Sequence, residues 1–160
     1  MRYQGIHHLA MATNDMDKTV RFYRDILGMP LVATTGNQPG RPYRHYFFQL
    51  GAQQTIAFFE WPGMLEEFHK PAGLPAQGPV QFDHVSFGVT NVEELEKLQQ
   101  DLRVKGVEVT EIVDHHICKS IYFTDPNGIA LEASAWTMDV FDKPHLGDRQ
   151  PVPSVQDDDA

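Results

Sequence analysis

The residues best suited to chemistry in this chain are His8, His84 and Glu132, because each stands at a matching place in a repeated pattern. His8 opens the segment His8-Leu-Ala-Met-Ala-Thr-Asn-Asp15, which leads into Met16–Leu27 and stops at Gly28. His84 opens His84-Val-Ser-Phe-Gly-Val-Thr-Asn91, which leads into Val92–Leu102 and stops at Gly106. Both stretches read strand, polar cap, amphipathic helix, glycine. Two imidazoles and one later carboxylate make a facial triad for a divalent metal, with coordination positions left free for substrate and oxygen. Glu132 lies in the apolar run Ile129-Ala-Leu-Glu-Ala133, where a carboxylate without a partner would be expensive.

The elements that must position these groups follow from periodicity. A first strand is expected over roughly 4–12 and a helix from Met16, with Asn14 or Asp15 as cap and Met16, Val20, Tyr23 and Leu27 facing a core. Strands are expected around 30–34, 43–50 and 54–60, the last two joined by a hairpin at Gly51-Ala-Gln-Gln54. Residues 62–80 are rich in proline and glycine and separate two halves, with a short helix possible over Met64–His69. The second half repeats the plan: a strand at 82–89, a helix at 92–105 with Glu93 and Lys97 one turn apart, then strands near 107–113, 118–124 and 129–135. Asp125-Pro-Asn-Gly128 is a strong turn signal between the last two.

Each half is therefore βαβββ, and neither can cover its own apolar face, so the fold class is α+β with two modules packed side by side. A curved, partly closed mixed sheet around a metal site is expected, with His8 and His84 near a shared pseudo-two-fold axis. The expected boundaries are one domain over 1–137, with module one about 4–62, the linker 62–80 and module two about 81–137, and then a tail over 138–160.

Bulk properties narrow the partners. Hydrophobic content of 41% and charged content of 22% are ordinary for a globular protein. A net charge of −9 argues against nucleic acid or an anionic membrane surface as partner. One cysteine, Cys118, cannot form an internal disulfide, and no apolar run approaches spanning length. These features point to a cytoplasmic protein acting on a small molecule.

The duplicated βαβββ plan, the phrase Phe22-Tyr-Arg-Asp-Ile-Leu-Gly28 and the ending Asp125-Pro-Asn-Gly-Ile-Ala-Leu-Glu132 resemble the vicinal oxygen chelate superfamily over roughly residues 4–136. That superfamily includes glyoxalase I, methylmalonyl-CoA epimerase, fosfomycin- and bleomycin-resistance proteins and extradiol dioxygenases. Glyoxalase- and epimerase-like members carry four protein ligands. Here the position matching the second ligand of the first half is Ala57, which cannot ligate. Glu60 is three residues on and should face the other way by strand alternation, although a bulge would change its side.

The remaining set of His8, His84 and Glu132 suits non-haem Fe(II) oxygen chemistry. The segment from Val113 to Glu132, with His115, Tyr122, a Pro-x-Gly turn and the glutamate in order, resembles the extradiol dioxygenase signature. The resemblance implies an Fe(II)-dependent dioxygenase acting on a catechol-like or other vicinal-oxygen aromatic substrate, with Mn(II), Ni(II) or Zn(II) as other candidate metals. It also implies that His115 hydrogen-bonds bound or substrate oxygen, that Tyr122 steers the substrate hydroxyl, and that His69 is an acid–base candidate. Alternation puts Phe59 and Trp61 on the face of Ala57, as an apolar wall for a flat substrate, with His45 on the neighbouring strand. His7 should point away from the site. The alternatives are a metal-dependent lyase or isomerase of glyoxalase or epimerase type, and a metal-free ligand-binding protein of the resistance type. A homodimer is expected, with Trp136–Phe141 covering a partner.

Overall fold

The computed structural model describes residues 5–61, 63, 65–66, 69–78, 82–147, 150 and 152. Module one holds β1 (His8–Thr13), a helix beginning as α1 (Met16–Val20), β2 (Leu31–Gln38), β3 (Arg41–Gly51) and β4 (Gln54–Glu60). Module two holds β5 (Val85–Gly88), α2 (Val92–Val104), β6 (Val113–Asp114), β7 (Cys118–Thr124) and β8 (Ala130–Trp136). The sheet orders are β1-β4-β3-β2 and β5-β8-β7-β6, and in each the first strand runs parallel to the last. The α+β class and both βαβββ modules are borne out. The two four-stranded sheets stay separate and do not close on one another.

Local chemistry explains the helix ends. Asp15 caps α1 by accepting from Lys18 N at 3.0 Å, and Asn91 caps α2 by accepting from Glu94 N at 2.9 Å. The expected single helix over Met16–Leu27 widens into a π-helical turn at Arg21–Ile26, where Leu27 N donates to Phe22 O at 2.9 Å. The wider turn lets two adjacent aromatic residues, Phe22 and Tyr23, both enter the core. Gly28, at φ 73°, reverses the chain in a conformation that costs glycine little. On α2, Lys97 pairs with Glu94 at 2.6 Å rather than with Glu93.

The strand expected at 107–113 shrinks to β6, preceded by a single bridge from Val109 to Phe123. Thr110 is the reason: its side-chain oxygen, not its backbone, accepts from Tyr122 N at 3.0 Å. The helix expected over Met64–His69 falls partly outside the described residues.

One face of each sheet carries the core. Phe48, Ile56 and Phe58 pack with Met16, Phe22 and Tyr23; Ile121, Phe123, Leu131 and Ala133 pack with Leu95 and Leu102. The modules are joined where the first helix meets the β7–β8 turn. Tyr23 Oη donates to Asp125 Oδ2 at 3.1 Å, Thr13 Oγ1 donates to Asn127 Oδ1 at 2.6 Å, and Lys105 Nζ reaches Ile26 O at 2.5 Å. Within the turn, Asp125 Oδ1 accepts from Asn127 N and Ile129 N, each at 2.8 Å. Burial pushes the Asp125 carboxyl above its ordinary range. The faces turned away from the helices remain for function.

Candidate active site

Strand register aligns the two helix-free faces residue by residue. On β5 and β8, Ser86 pairs with Glu132; on β1 and β4, Ala10 pairs with Ala57. Counting from each opening histidine, Ala57 therefore occupies the Glu132 position, as expected from the sequence. On the antiparallel side Tyr122 pairs with Glu132, and Phe47 pairs with Ala57. Module one thus carries alanine and phenylalanine where module two carries glutamate and tyrosine.

Module two is the polar half. His84 Nε2 lies 2.7 Å from Glu132 Oε2, and His84 Nδ1 lies 2.7 Å from Asp83 Oδ1. His115 Nε2 lies 2.8 Å from Tyr122 Oη, so the structure brings these two together beside Glu132. His116 takes a positive φ of 69°, and its backbone N donates to Asp114 Oδ1 at 2.8 Å. A serine chain continues the polar face: Ser120 Oγ to Ser134 Oγ is 3.0 Å and Ser134 Oγ to Ser86 Oγ is 2.7 Å.

Burial pushes the Glu132 carboxyl upward, but hydrogen bonds from Ser120 and Ser134, the His84 ring and Tyr122 outweigh it and hold the group below its ordinary range. Burial, with the Glu132 charge second, pushes the Tyr122 phenol up to about 12, so it acts as a neutral donor at ordinary pH. Asp83 is held well below the usual carboxylate range by His84, Ala76 N and Lys70.

Module one supplies an aromatic face. Phe59 stacks on Trp61 with ring centroids 4.7 Å apart and on His45 at 3.5 Å; Tyr43 packs on Phe59 at 5.6 Å. Phe47 lies 4.2 Å from His45 and 5.9 Å from His8. Among the described residues His45 Nε2 is buried with no hydrogen-bond partner, and burial followed by the His8 charge lowers the pKa of this ring. His8 is exposed, and its Nδ1 lies 2.9 Å from His7 Nδ1. His7 precedes β1, so strand alternation does not turn it away as expected.

Glu60 belongs elsewhere. Its Oε1 accepts from Met16 N at 2.8 Å at the start of α1, and its Oε2 bonds Arg44. No bulge brings it to the face of Ala57. His69 lines cavities with Asp125 and Pro126 at the turn joining the modules. A smaller cavity of about 260 Å³ is lined by Lys70, Gly73, Leu74, Asp83, His84 and Tyr122. Sequence reasoning missed Asp83 and Lys70, although a carboxylate directly before a candidate ligand histidine is a signal that could have found the first.

The donor set at His84 fits a divalent ion. With Nδ1–H given to Asp83, Nε2 faces Glu132 Oε2 at 2.7 Å, a contact that a proton on Nε2 bridges without an ion and that a divalent cation would bridge in its place. Their spacing is near the roughly 3 Å edge of a site with bonds of about 2.1 Å. Among the described residues, no three His, Cys, Asp or Glu side chains gather closely enough to hold a metal. His84 and Glu132 come together; His8 lies on the other sheet.

Two parallel-sided modules, each with a helix-free face bearing an opening histidine, define the class. Residues 5–133 match the glyoxalase/bleomycin resistance protein/dioxygenase superfamily, and the chain belongs to it. The metallothiol transferase FosB of Staphylococcus haemolyticus is 26% identical over 132 residues, which is 81% of each chain. An iron-dependent extradiol dioxygenase of Rhodococcus jostii is 27% identical over 81% of this chain, which spans only 42% of that relative. Among solved structures, a glyoxylase/bleomycin resistance protein/dioxygenase domain from Frankia superposes with TM-score 0.66 at 23% identity, over 84% of this chain and 98% of that one. A Mn(II)- and sulfate-bound fosfomycin resistance protein, FosX, from Listeria monocytogenes superposes at 0.58 and 21%, over 85% and 95%. No helix among the described residues is long and apolar enough to cross a membrane.

Proposed function

We propose that this protein is a divalent-metal-dependent dioxygenase of extradiol type, acting on a catechol-like or other vicinal-oxygen aromatic substrate. The observation that carries the reading is the pairing of His84 with Glu132 and of His115 with Tyr122 on one sheet face, while the matching face of module one is aromatic. Polar groups suit the oxygens of such a substrate, and Phe59 and Trp61 suit its ring. His8, His84 and Glu132 would hold the divalent metal, with Fe(II) favoured, and the metal would supply Lewis-acid and redox chemistry at the substrate oxygens. The protein's own groups do the rest. Tyr122, protonated up to about pH 12, donates a hydrogen bond to a substrate oxygen. His115, bonded to it, accepts the proton released when a substrate hydroxyl binds and can return it. His69 remains the second acid–base candidate.

His8 must still reach the other two ligands. Both β1 and β5 are edge strands paired on one side only, and His8, Ala10, Ser86 and Gly88 on them are exposed. The proposed protein is therefore a homodimer in which His8 of one copy joins His84 and Glu132 of the other.

Coverage favours one other reading, since FosB matches 81% of its own length and the dioxygenase 42%. That reading is a metal-dependent transferase acting on a small anionic substrate. Free cations at the site would support it, but Lys70 is committed to Asp83 and Arg44 to Glu60.

Anaerobic Fe(II) titration of metal-stripped protein, beside Glu132→Ala, tests the metal site; oxygen uptake with catechols tests the chemistry. Near-stoichiometric binding lost in the variant, with uptake on at least one catechol, is expected. Binding without uptake, but with metal-dependent thiol consumption on a small electrophile, would replace this reading with the transferase.

A further inference from the structure

Asp83 directly precedes His84 in a stretch that runs irregularly into β5, so the two neighbouring side chains are free to meet. Its Oδ1 accepts from His84 Nδ1 at 2.7 Å and from Lys70 Nζ at 3.1 Å, and its Oδ2 accepts from Ala76 N at 2.6 Å. Lys70 is 7% exposed, and its ammonium also donates to Leu74 O at 2.5 Å. Lys70 N donates to Gly128 O at 3.0 Å, in the turn four residues before Glu132. Between Lys70 and Ala76 the chain passes over Tyr122: Gly73, at φ 69°, leaves only 3.4 Å between an added Cβ and the Tyr122 ring. One carboxylate thus ties the histidine to a segment crossing the polar face.

The duplication repeats the device. His8 matches His84, so His7 matches Asp83, and His7 Nδ1 lies 2.9 Å from His8 Nδ1. In both modules the side chain one residue upstream occupies Nδ1, and in module two Nε2 is left to face Glu132.

We propose that Asp83 is the positioning residue of the site: it holds His84 with the proton on Nδ1 and Nε2 presented beside Glu132, and Lys70 locks Asp83 in that role. The proposal rests on His84 being a metal ligand. A ligating imidazole that donates its other N–H to a carboxylate is fixed in tautomer and orientation, and loss of such a partner costs about 10–100-fold in metal affinity. Three donors converging on Asp83 prevent it from rotating away. The Lys70 ammonium in turn needs that carboxylate, because a buried charge without a partner is strongly destabilising.

The test is Co(II) titration of stripped protein, followed by its visible absorption bands, for wild type, Asp83→Asn and Lys70→Met. Beside it, proton–nitrogen NMR of the Zn(II)-loaded wild type reads the His84 tautomer. Asp83→Asn is expected to weaken Co(II) binding about 10–100-fold and shift the bands. Lys70→Met should move both in the same direction by less, and the wild-type spectrum should show His84 protonated at Nδ1. Equal affinity and bands in wild type and Asp83→Asn, or a His84 proton on Nε2, overturns the proposal and leaves the metal site standing. Wild-type affinity and bands in Lys70→Met remove Lys70 from it. A wild type that binds no Co(II) sinks the metal-site reading itself. The NMR arm uses wild type alone, so the tautomer is read even where a variant misfolds.

Discussion

At the scale of single residues, chemistry is divided by type between two faces that share one ancestral plan. Glu132 and Tyr122 in module two stand where Ala57 and Phe47 stand in module one, so one face offers oxygen and nitrogen donors and the other offers rings. Tyr122→Phe removes the hydroxyl that pairs with His115, and kcat is expected to fall roughly 100-fold in steady-state oxygen uptake with metal affinity unchanged. Unchanged kcat would reduce Tyr122 to sheet packing. Phe59→Ala opens the stack between His45 and Trp61, and KM for an aromatic substrate should rise well ahead of any change in kcat.

Among the elements, the joint between the first helix and the β7–β8 turn connects the modules. Tyr23, on the π-helical turn, gives its hydroxyl to Asp125 across that joint, and Tyr23→Phe should cost about 1 kcal/mol in urea unfolding. Asp125 also makes a pH signature. Its pKa is raised in the folded protein, so the native state binds more protons than the unfolded chain, and its contribution to stability is lost as pH climbs from its ordinary value of 3.8 through the raised one. The stability difference between wild type and Asp125→Asn should therefore shift against wild type between about pH 4 and the raised value, then flatten. A difference flat with pH would show that burial does not perturb the carboxyl. The turn itself was readable in Asp125-Pro-Asn-Gly128, because its signal is local; the π-helical widening was not, because it answers to the core that receives Phe22 and Tyr23.

For the whole molecule, the question is how His8 meets its partners, and mixing answers it. His8→Ala and Glu132→Ala proteins, each expected to bind no metal alone, are unfolded and refolded together. If ligands come from two copies, each mixed dimer regains one intact site and metal binding returns; ligands from one chain would leave every site broken. Light scattering on the wild type should show a dimer at micromolar concentration. By itself the sequence determined the two βαβββ modules, the helix caps, the turn at 125–128 and the equivalence of His8 with His84, because periodicity, capping and turn chemistry act over a few residues. It also matched Ala57 with the position of Glu132, and the strand register reproduces that match. Only the tertiary structure decided that Glu60 serves the start of α1, that Lys70 and Asp83 reach His84 from a linker, and that His8 lies apart on its own sheet. Those outcomes depend on how segments far apart in the chain are brought together, and no local pattern encodes that distance.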